Sequence, residues 1–261
     1  AIVFQGAGKA FVAGADIRYF VRNIKADKIN DIVAFTRKGH ELLLRIENSS
    51  KKTIALLDGL SLGGGSELAL ACQAIVATPT GSMAFPETSI GIYPGLGGML
   101  RMARHVGPEL AKYYTFTGMP LSAKDALSLG IVTRLVKPAE VDSALEELAV
   151  TTIDKYGDRE IPEKFEALAK LGAPENVSRL LSGQLPEHAS QDLAAKTAKI
   201  VGYKAPLALK LANEIIDAQT GLSIRDAVEV ELGRLSEIFA TADALEGLSS
   251  AGRKRPEFTG S

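Results

Sequence analysis

The sequence has no tryptophan, three histidines and one cysteine, Cys72, in 261 residues. One cysteine cannot close a disulfide within the chain, so the core is expected to hold by apolar burial, and a reducing, cytoplasmic compartment is the expected setting. His40, His105 and His188 share no short ligand spacing, and no metal is expected. An excess of charge of either sign is missing too. Lys and Arg number 30 against 31 Asp and Glu, for a net charge of −1. Nucleic acid and anionic membranes call for a concentrated cationic field, so the expected partner is small, with no nucleic acid. The longest charge-free stretch, residues 68–86, is broken by Gln73, Thr78, Pro79, Thr80, Gly81 and Ser82, a pattern of buried helix, strand and turn. No membrane span is expected. Nor is there a Gly-x-Gly-x-x-Gly dinucleotide fingerprint, since Gly6-Ala7-Gly8 lacks the third glycine. The chain opens without Met, in the buried-strand pattern Ala1-Ile2-Val3-Phe4, so residues upstream are expected in the native protein.

What is present is the composition of a globular, enzyme-sized chain, 46% hydrophobic and 23% charged. A first strand is followed by a loop over 5–15 carrying Gly6, Gly8 and Gly14. A long helix over about 27–47 then sets Ile29, Ile32, Val33, Thr36, Leu43 and Leu44 on one face. Thr53-Ile54-Ala55-Leu56-Leu57 reads as a second buried strand, 66–72 as an apolar helix and 74–77 as a third strand. Alternation of strand and helix means an α/β fold with crossover connections. Ser122 caps a short helix that Gly130 ends, 133–136 is a short strand, and a helix begins near Pro138. The expected organisation is a core over 1–150, a helical insertion over 151–191 divided by Pro162, Pro174 and Pro186, and a C-terminal helical region over 192–261.

Two glycine-rich loops and two acids stand out as chemistry. Ala13-Gly14-Ala15-Asp16 follows the first strand, and Gly63-Gly64-Gly65-Ser66-Glu67 joins a strand to a helix start, where backbone N–H groups are free to meet a ligand. Glycine admits a substrate oxygen to the main chain, and two amides converging on one oxygen make an oxyanion hole; the same loops also arise from tight helix packing alone. Glu67 and Glu87 each stand in apolar surroundings, Leu68-Ala69-Leu70-Ala71 after one and Ala84-Phe85-Pro86 before the other. A carboxylate there needs a task or a partner. Two such acids sharing one water would work as a base and acid pair, whereas a helix-start carboxylate or a salt bridge is the plainer reading of each alone.

Taken together, these segments resemble the crotonase, or enoyl-CoA hydratase/isomerase, superfamily. The likeness rests on Lys9-Ala10-Phe11-Val12-Ala13-Gly14-Ala15-Asp16-Ile17, on Gly63-Gly64-Gly65-Ser66-Glu67-Leu68-Ala69, on Phe85-Pro86-Glu87 with Gly91, Pro94-Gly95 and Gly97-Gly98, and on Thr241-Ala242-Asp243-Ala244-Leu245-Glu246-Gly247. It implies a repeated ββα spiral core followed by helices, without the fold's N-terminal part. It also implies an acyl-CoA thioester substrate and no cofactor, coenzyme A being part of the substrate. By the same resemblance, the amides of Ala15 and Gly64 form the oxyanion hole, Glu67 and Glu87 are the two hydratase acids, and Ala13, Asp16, Ile17, Gly63 and Gly95 bind substrate. A trimer or hexamer is implied. The atypical start and the 151–191 segment also resemble the hydratase portion of polypeptides fused to an upstream 3-hydroxyacyl-CoA dehydrogenase.

The sequence departs from the family pattern at Asp58 and Ser61, where an amide and a small apolar residue are more usual, and at Tyr93, which narrows the expected acyl pocket. An isomerase of the same fold is a rival, although such enzymes generally work with one acid near Glu87. A rival from another class is a serine hydrolase, because Gly59-Leu60-Ser61-Leu62-Gly63 matches a nucleophile elbow, with His188 in the required chain order. A noncatalytic acyl-CoA-binding subunit is a third.

Overall fold

The computed structural model describes residues 1–157 and 160–261. Residues 158 and 159, within the 151–191 segment, lie outside the described residues.

The chain winds as repeats of two strands and a helical crossover. β1 (Ile2–Gln5) and β2 (Ala10–Val12) are followed by α1 (Ile17–Lys25) and α2 (Ile29–Glu47). β3 (Thr53–Leu57) and β4 (Leu60–Leu62) lead into α3 (Gly64–Ala71). β5 (Ala74–Ala77) and β6 (Ser82–Ala84) lead through a 3-10 turn at Glu87–Ile90 into α4 (Gly98–Thr117). β7 (Leu121–Ser122), α5 (Ala123–Ser128) and β8 (Arg134–Leu135) close the core. The first strand of each of these three repeats, and then β8, enters one parallel sheet, ordered β1-β3-β5-β8; the second strand of each, and then β7, enters another, ordered β2-β4-β6-β7, in which only β6 and β7 pair antiparallel.

Sequence reading finds β3 and β5 because parallel strands covered on both faces are continuous apolar runs. It misses β2, β4 and β6, which lie in stretches read as loops. Each has three residues, too few to show a period, and is held by ladder bonds such as those pairing Leu60 with Ser82. Two further expectations hold closely: Ser122 accepts from Asp125 N as the N-cap of α5, and the long helix starts at Ile29.

After β8, a 3-10 turn at Pro138–Glu140 leads into α6 (Val141–Val150), α7 (Glu163–Leu171), α8 (Pro174–Leu181) and α9 (Gln191–Val201). α10 (Pro206–Gln219), α11 (Ile224–Gly233), α12 (Leu235–Phe239) and α13 (Ala242–Ser250) complete the chain. α7 lies along α4 and buries Phe165 and Leu171 with Val106 and Leu110. A second core gathers Phe20, Ile32, Met99, Ile215, Leu235 and Phe239 between α1, α2, α4 and α10–α12. No helix of the described residues is long and apolar enough to cross a membrane.

One buried ionic cluster joins distant parts of this scaffold. Arg101 on α4 has no solvent exposure; its Nη2 donates to Glu47 Oε2 at 2.8 Å, and its Nη1 donates to the carbonyl of Leu96 at 3.2 Å. The other Glu47 oxygen accepts from Lys155 Nζ at 2.6 Å and from the Tyr156 hydroxyl at 2.7 Å. Burial alone would raise the Glu47 pKa, but the charges of Arg101 and Lys155 outweigh it and bring it down to about 2. Lys155 is itself buried, which pulls its pKa to about 8 despite the same contact. Removing the carboxylate strands a buried guanidinium. Glu47→Ala is expected to lower the folding free energy by about 3–5 kcal/mol, read as a shift of the urea midpoint with unchanged slope. The Glu47 contribution to wild-type stability should be present above the ordinary carboxylate range and fade as pH falls toward 2.

Candidate active site

Backbone geometry brings the two glycine loops together. Gly65, in the first turn of α3, packs so closely on the Val12 main chain that a Cβ there would collide with it. The end of β2 is thereby set beside the start of α3. Gly63, with φ of +49°, turns the chain from β4 into α3, and its N–H donates to the carbonyl of Ala84 at 2.9 Å. A Cβ at Gly63 would run into the Glu87 carboxylate, so this turn admits the acid only because the residue is glycine. No side chain caps α3, so its first amides have no side-chain acceptor.

The loops open on a cavity of about 150 Å³. Its lining includes Ala13, Ala15, Ile17, Gly63, Gly64, Glu67, Glu87 and Gly95, and its apolar wall is built by Phe20, Phe35, Ile92, Tyr93, Leu235 and Phe239. Asp16, expected among the substrate contacts, stands outside that lining. Its exposed carboxylate accepts from Arg18 N at 3.1 Å as the N-cap of α1 and pairs with the Arg18 guanidinium at 2.8 Å. A larger cavity of about 300 Å³ lies around Cys72, Arg134 and Lys155. There Arg134 is paired with Glu147, Lys155 with Glu47, and burial pushes the Cys72 thiol up to about 12. Chemistry rather than volume therefore picks out the smaller cavity.

Glu67 and Glu87 are both buried, 2% and 7% exposed, but differ in their partners. Glu67 Oε1 accepts two main-chain hydrogen bonds, from Leu96 N at 2.7 Å and Gly98 N at 2.9 Å. Burial, and next the charge of Glu231, raise its pKa to about 7 against those amides. Glu87 Oε2 has no hydrogen-bond partner. Burial, reinforced by the neighbouring Glu67, holds the Glu87 carboxyl well above the usual range. Two acids share the site, one met by amides that favour its charged form and the other with an oxygen that nothing offsets for its burial.

Sequence reading missed the groups that serve Glu67. Leu96 and Gly98 contribute main-chain N–H groups, which leave no side-chain signature. Glu231 on α11, wholly buried, gave a signal that was available: it repeats on the same helical face as Ala227 and Val228, where an acid is out of place. Two of the three departures from the family pattern also find tasks. Asp58 accepts from Thr78 and Thr80 hydroxyls at 2.6 and 2.8 Å, and the Tyr93 hydroxyl donates to the Glu231 carbonyl at 2.8 Å.

The rival triad is not assembled. Ser61 lies inside β4, wholly buried, with no hydrogen-bond partner for its hydroxyl. The turn into α3 comes two residues later, and the His188 ring is placed against the backbone carbonyls of Ala167 and Ser190.

Residues 1–257 match the family described as Enoyl-CoA hydratase/isomerase. The chain is 31% identical over 260 residues to a probable enoyl-CoA hydratase of Bacillus subtilis (strain 168), covering 99% of this chain and 81% of that protein. It is 37% identical over 152 residues to the short-chain-enoyl-CoA hydratase of Clostridium acetobutylicum, 57% of this chain and 56% of that one. Its fold matches the crystal structure of an enoyl-CoA hydratase from Rhodobacter sphaeroides 2.4.1 with a TM-score of 0.81 at 26% identity, over 99% of this chain and 78% of that one.

The raised acids make a prediction about stability. Between the ordinary carboxylate value and about 7, the folded protein keeps protons on Glu67 and Glu87 that the unfolded chain releases, so stability falls as pH rises through that window. Urea midpoints at pH 5 and pH 7.5 should show that fall in the wild type, and a smaller fall in a Glu67→Gln, Glu87→Gln double variant.

Proposed function

Because the chain belongs to the enoyl-CoA hydratase/isomerase family, we propose that it adds water across the double bond of a 2-enoyl-CoA thioester to give the 3-hydroxyacyl-CoA, and catalyses the reverse dehydration. The observation that carries this reading is the pair of buried carboxylates, Glu67 and Glu87, in one apolar cavity lined by both glycine loops.

Hydration of a conjugated thioester puts negative charge on the thioester oxygen as water attacks the β-carbon. The N–H groups of Ala15 and Gly64 are the donors for that oxygen, and fixed dipoles aimed at it stabilise the enolate-like transition state more than the substrate. Glu67 is the base. Its two amide partners favour its ionised form, so it takes a proton from the water whose oxygen bonds to the β-carbon. The electron pair of the double bond moves toward the thioester oxygen, and its return to the α-carbon collects a proton from Glu87. Glu67 ends protonated and Glu87 ionised, and exchange of one proton with solvent restores the pair. Gly95, with Ala13, Ile17 and Gly63, forms the wall against which water and substrate are placed. Asp16 serves the site by fixing the start of α1. The aromatic wall takes the acyl chain and keeps bulk water from the reacting carbons.

No cofactor enters this mechanism. By the same family likeness, the proposal extends to a homotrimer or hexamer, and the single cysteine extends it to a cytoplasmic setting; a single-protomer mass by light scattering would remove the assembly part.

The test is loss of the conjugated-thioester absorbance of crotonyl-CoA. Glu67→Gln and Glu87→Gln should each lower kcat by roughly 10²–10⁴ while CoA-thioester binding is kept. Gly64→Pro deletes one oxyanion donor at the first position of α3, where proline is tolerated, and should cost roughly 10²–10³. Absence of turnover on short, medium and long enoyl-CoA, with binding intact, would leave a noncatalytic acyl-CoA-binding member of the fold.

A further inference from the structure

The main-chain segment that serves Glu67 is itself held from behind by a third acid. Glu231 has no solvent exposure, and its Oε1 accepts the Gly97 N–H at 2.7 Å. Its other oxygen takes a longer contact of 3.4 Å from Gln219 Nε2. His40, itself 1% exposed, brings Nε2 to 3.2 Å from Oε1 without the alignment of a hydrogen bond. Three consecutive amides are thus divided between two carboxylates, Leu96 and Gly98 facing Glu67 and Gly97 between them facing Glu231. The left-handed φ of +82° at Gly97 belongs to this reversal, and a Cβ there would collide with Arg101. The Tyr93 hydroxyl ties the same stretch of chain to the Glu231 carbonyl.

We propose that Glu231, braced by His40, is a positioning residue: by holding Gly97 it aims the flanking Leu96 and Gly98 amides at Glu67. The charged and titratable groups facing Glu231 are Glu67 from α3, Glu87 from the 3-10 turn, His40 from α2, Arg101 from α4 and Tyr93 from the site loop. Its influence on the two site acids has one sign. A buried like charge disfavours ionisation, and the Glu231 charge raises both Glu67 and Glu87. Neutralising it while keeping an acceptor for Gly97 should therefore lower the pH at which Glu67 ionises.

The kinetic arm of the test rests on the hydratase reading; the titration arm does not. In protein labelled with ¹³C at glutamate carboxyls, with the Glu67 signal assigned by Glu67→Gln, Glu231→Gln is expected to move the Glu67 midpoint down by roughly half a unit or more. The acid limb of kcat/KM should move the same way, with KM within about twofold of wild type. Glu231→Ala also deletes the Gly97 acceptor and should lower kcat about tenfold at the optimum, because misaimed amides act on the reacting acid rather than on binding. Should that variant fail to fold, Glu231→Gln decides. A midpoint that stays put in Glu231→Gln overturns the proposal even if wild-type turnover is normal. A midpoint that falls in a protein without turnover sinks the hydratase reading and leaves the role of Glu231 standing.

Discussion

Everything in this site depends on placing carboxylates where water does not reach them. A buried ionised acid is tolerated only when dipoles or opposite charges replace its hydration, and the chain meets that demand largely with main-chain amides. Glu67 takes Leu96 and Gly98, Glu231 takes Gly97, and Glu47 takes a guanidinium, an ammonium and a phenol. Arg101 joins the last arrangement to the first, since the guanidinium that pairs with Glu47 also donates to the carbonyl of Leu96. The loop before α4 is therefore fixed through its carbonyls by a cation and through its amides by two carboxyl groups.

The same demand explains which parts of the site were legible in the sequence. Glu67 and Glu87 could be singled out because an acid inside an apolar run is an energetic anomaly, and the glycine loops because glycine signals close approach. Donors such as Leu96 could not, since any residue but proline supplies an N–H and side-chain identity carries no trace of its direction. Glu231 lay between these cases, an acid on a buried helical face with no glycine loop beside it to draw attention. Asp16 carried the opposite hazard: it sits within a recognisable motif, yet in the folded chain its carboxylate serves a helix start and Arg18.

For the fold, legibility followed element length. The long helix α2 and the fully buried β3 and β5 carried enough residues for their periodicity to show. The three-residue strands β2, β4 and β6 had none to show, although they form most of the second sheet and deliver the chain to the loops that line the cavity. Their stability is a property of the ladder and of close packing such as Gly65 against Val12, which exists only once the spiral has closed.

The cavity also divides its labour between two kinds of atom. The floor is made of backbone and two acids, while the far wall is made of replaceable side chains on α1, α2 and α12, with Phe20 stacked on Phe239 at 5.3 Å between ring centres. Substitutions at that wall leave the main-chain donors where they are, and glycine positions such as Gly63 and Gly65 admit almost no substitution at all. Reshaping of the cavity is channelled accordingly: trading aromatics for smaller or larger residues, one helix face at a time, alters the space beside the two acids and leaves the amides that hold Glu67 untouched.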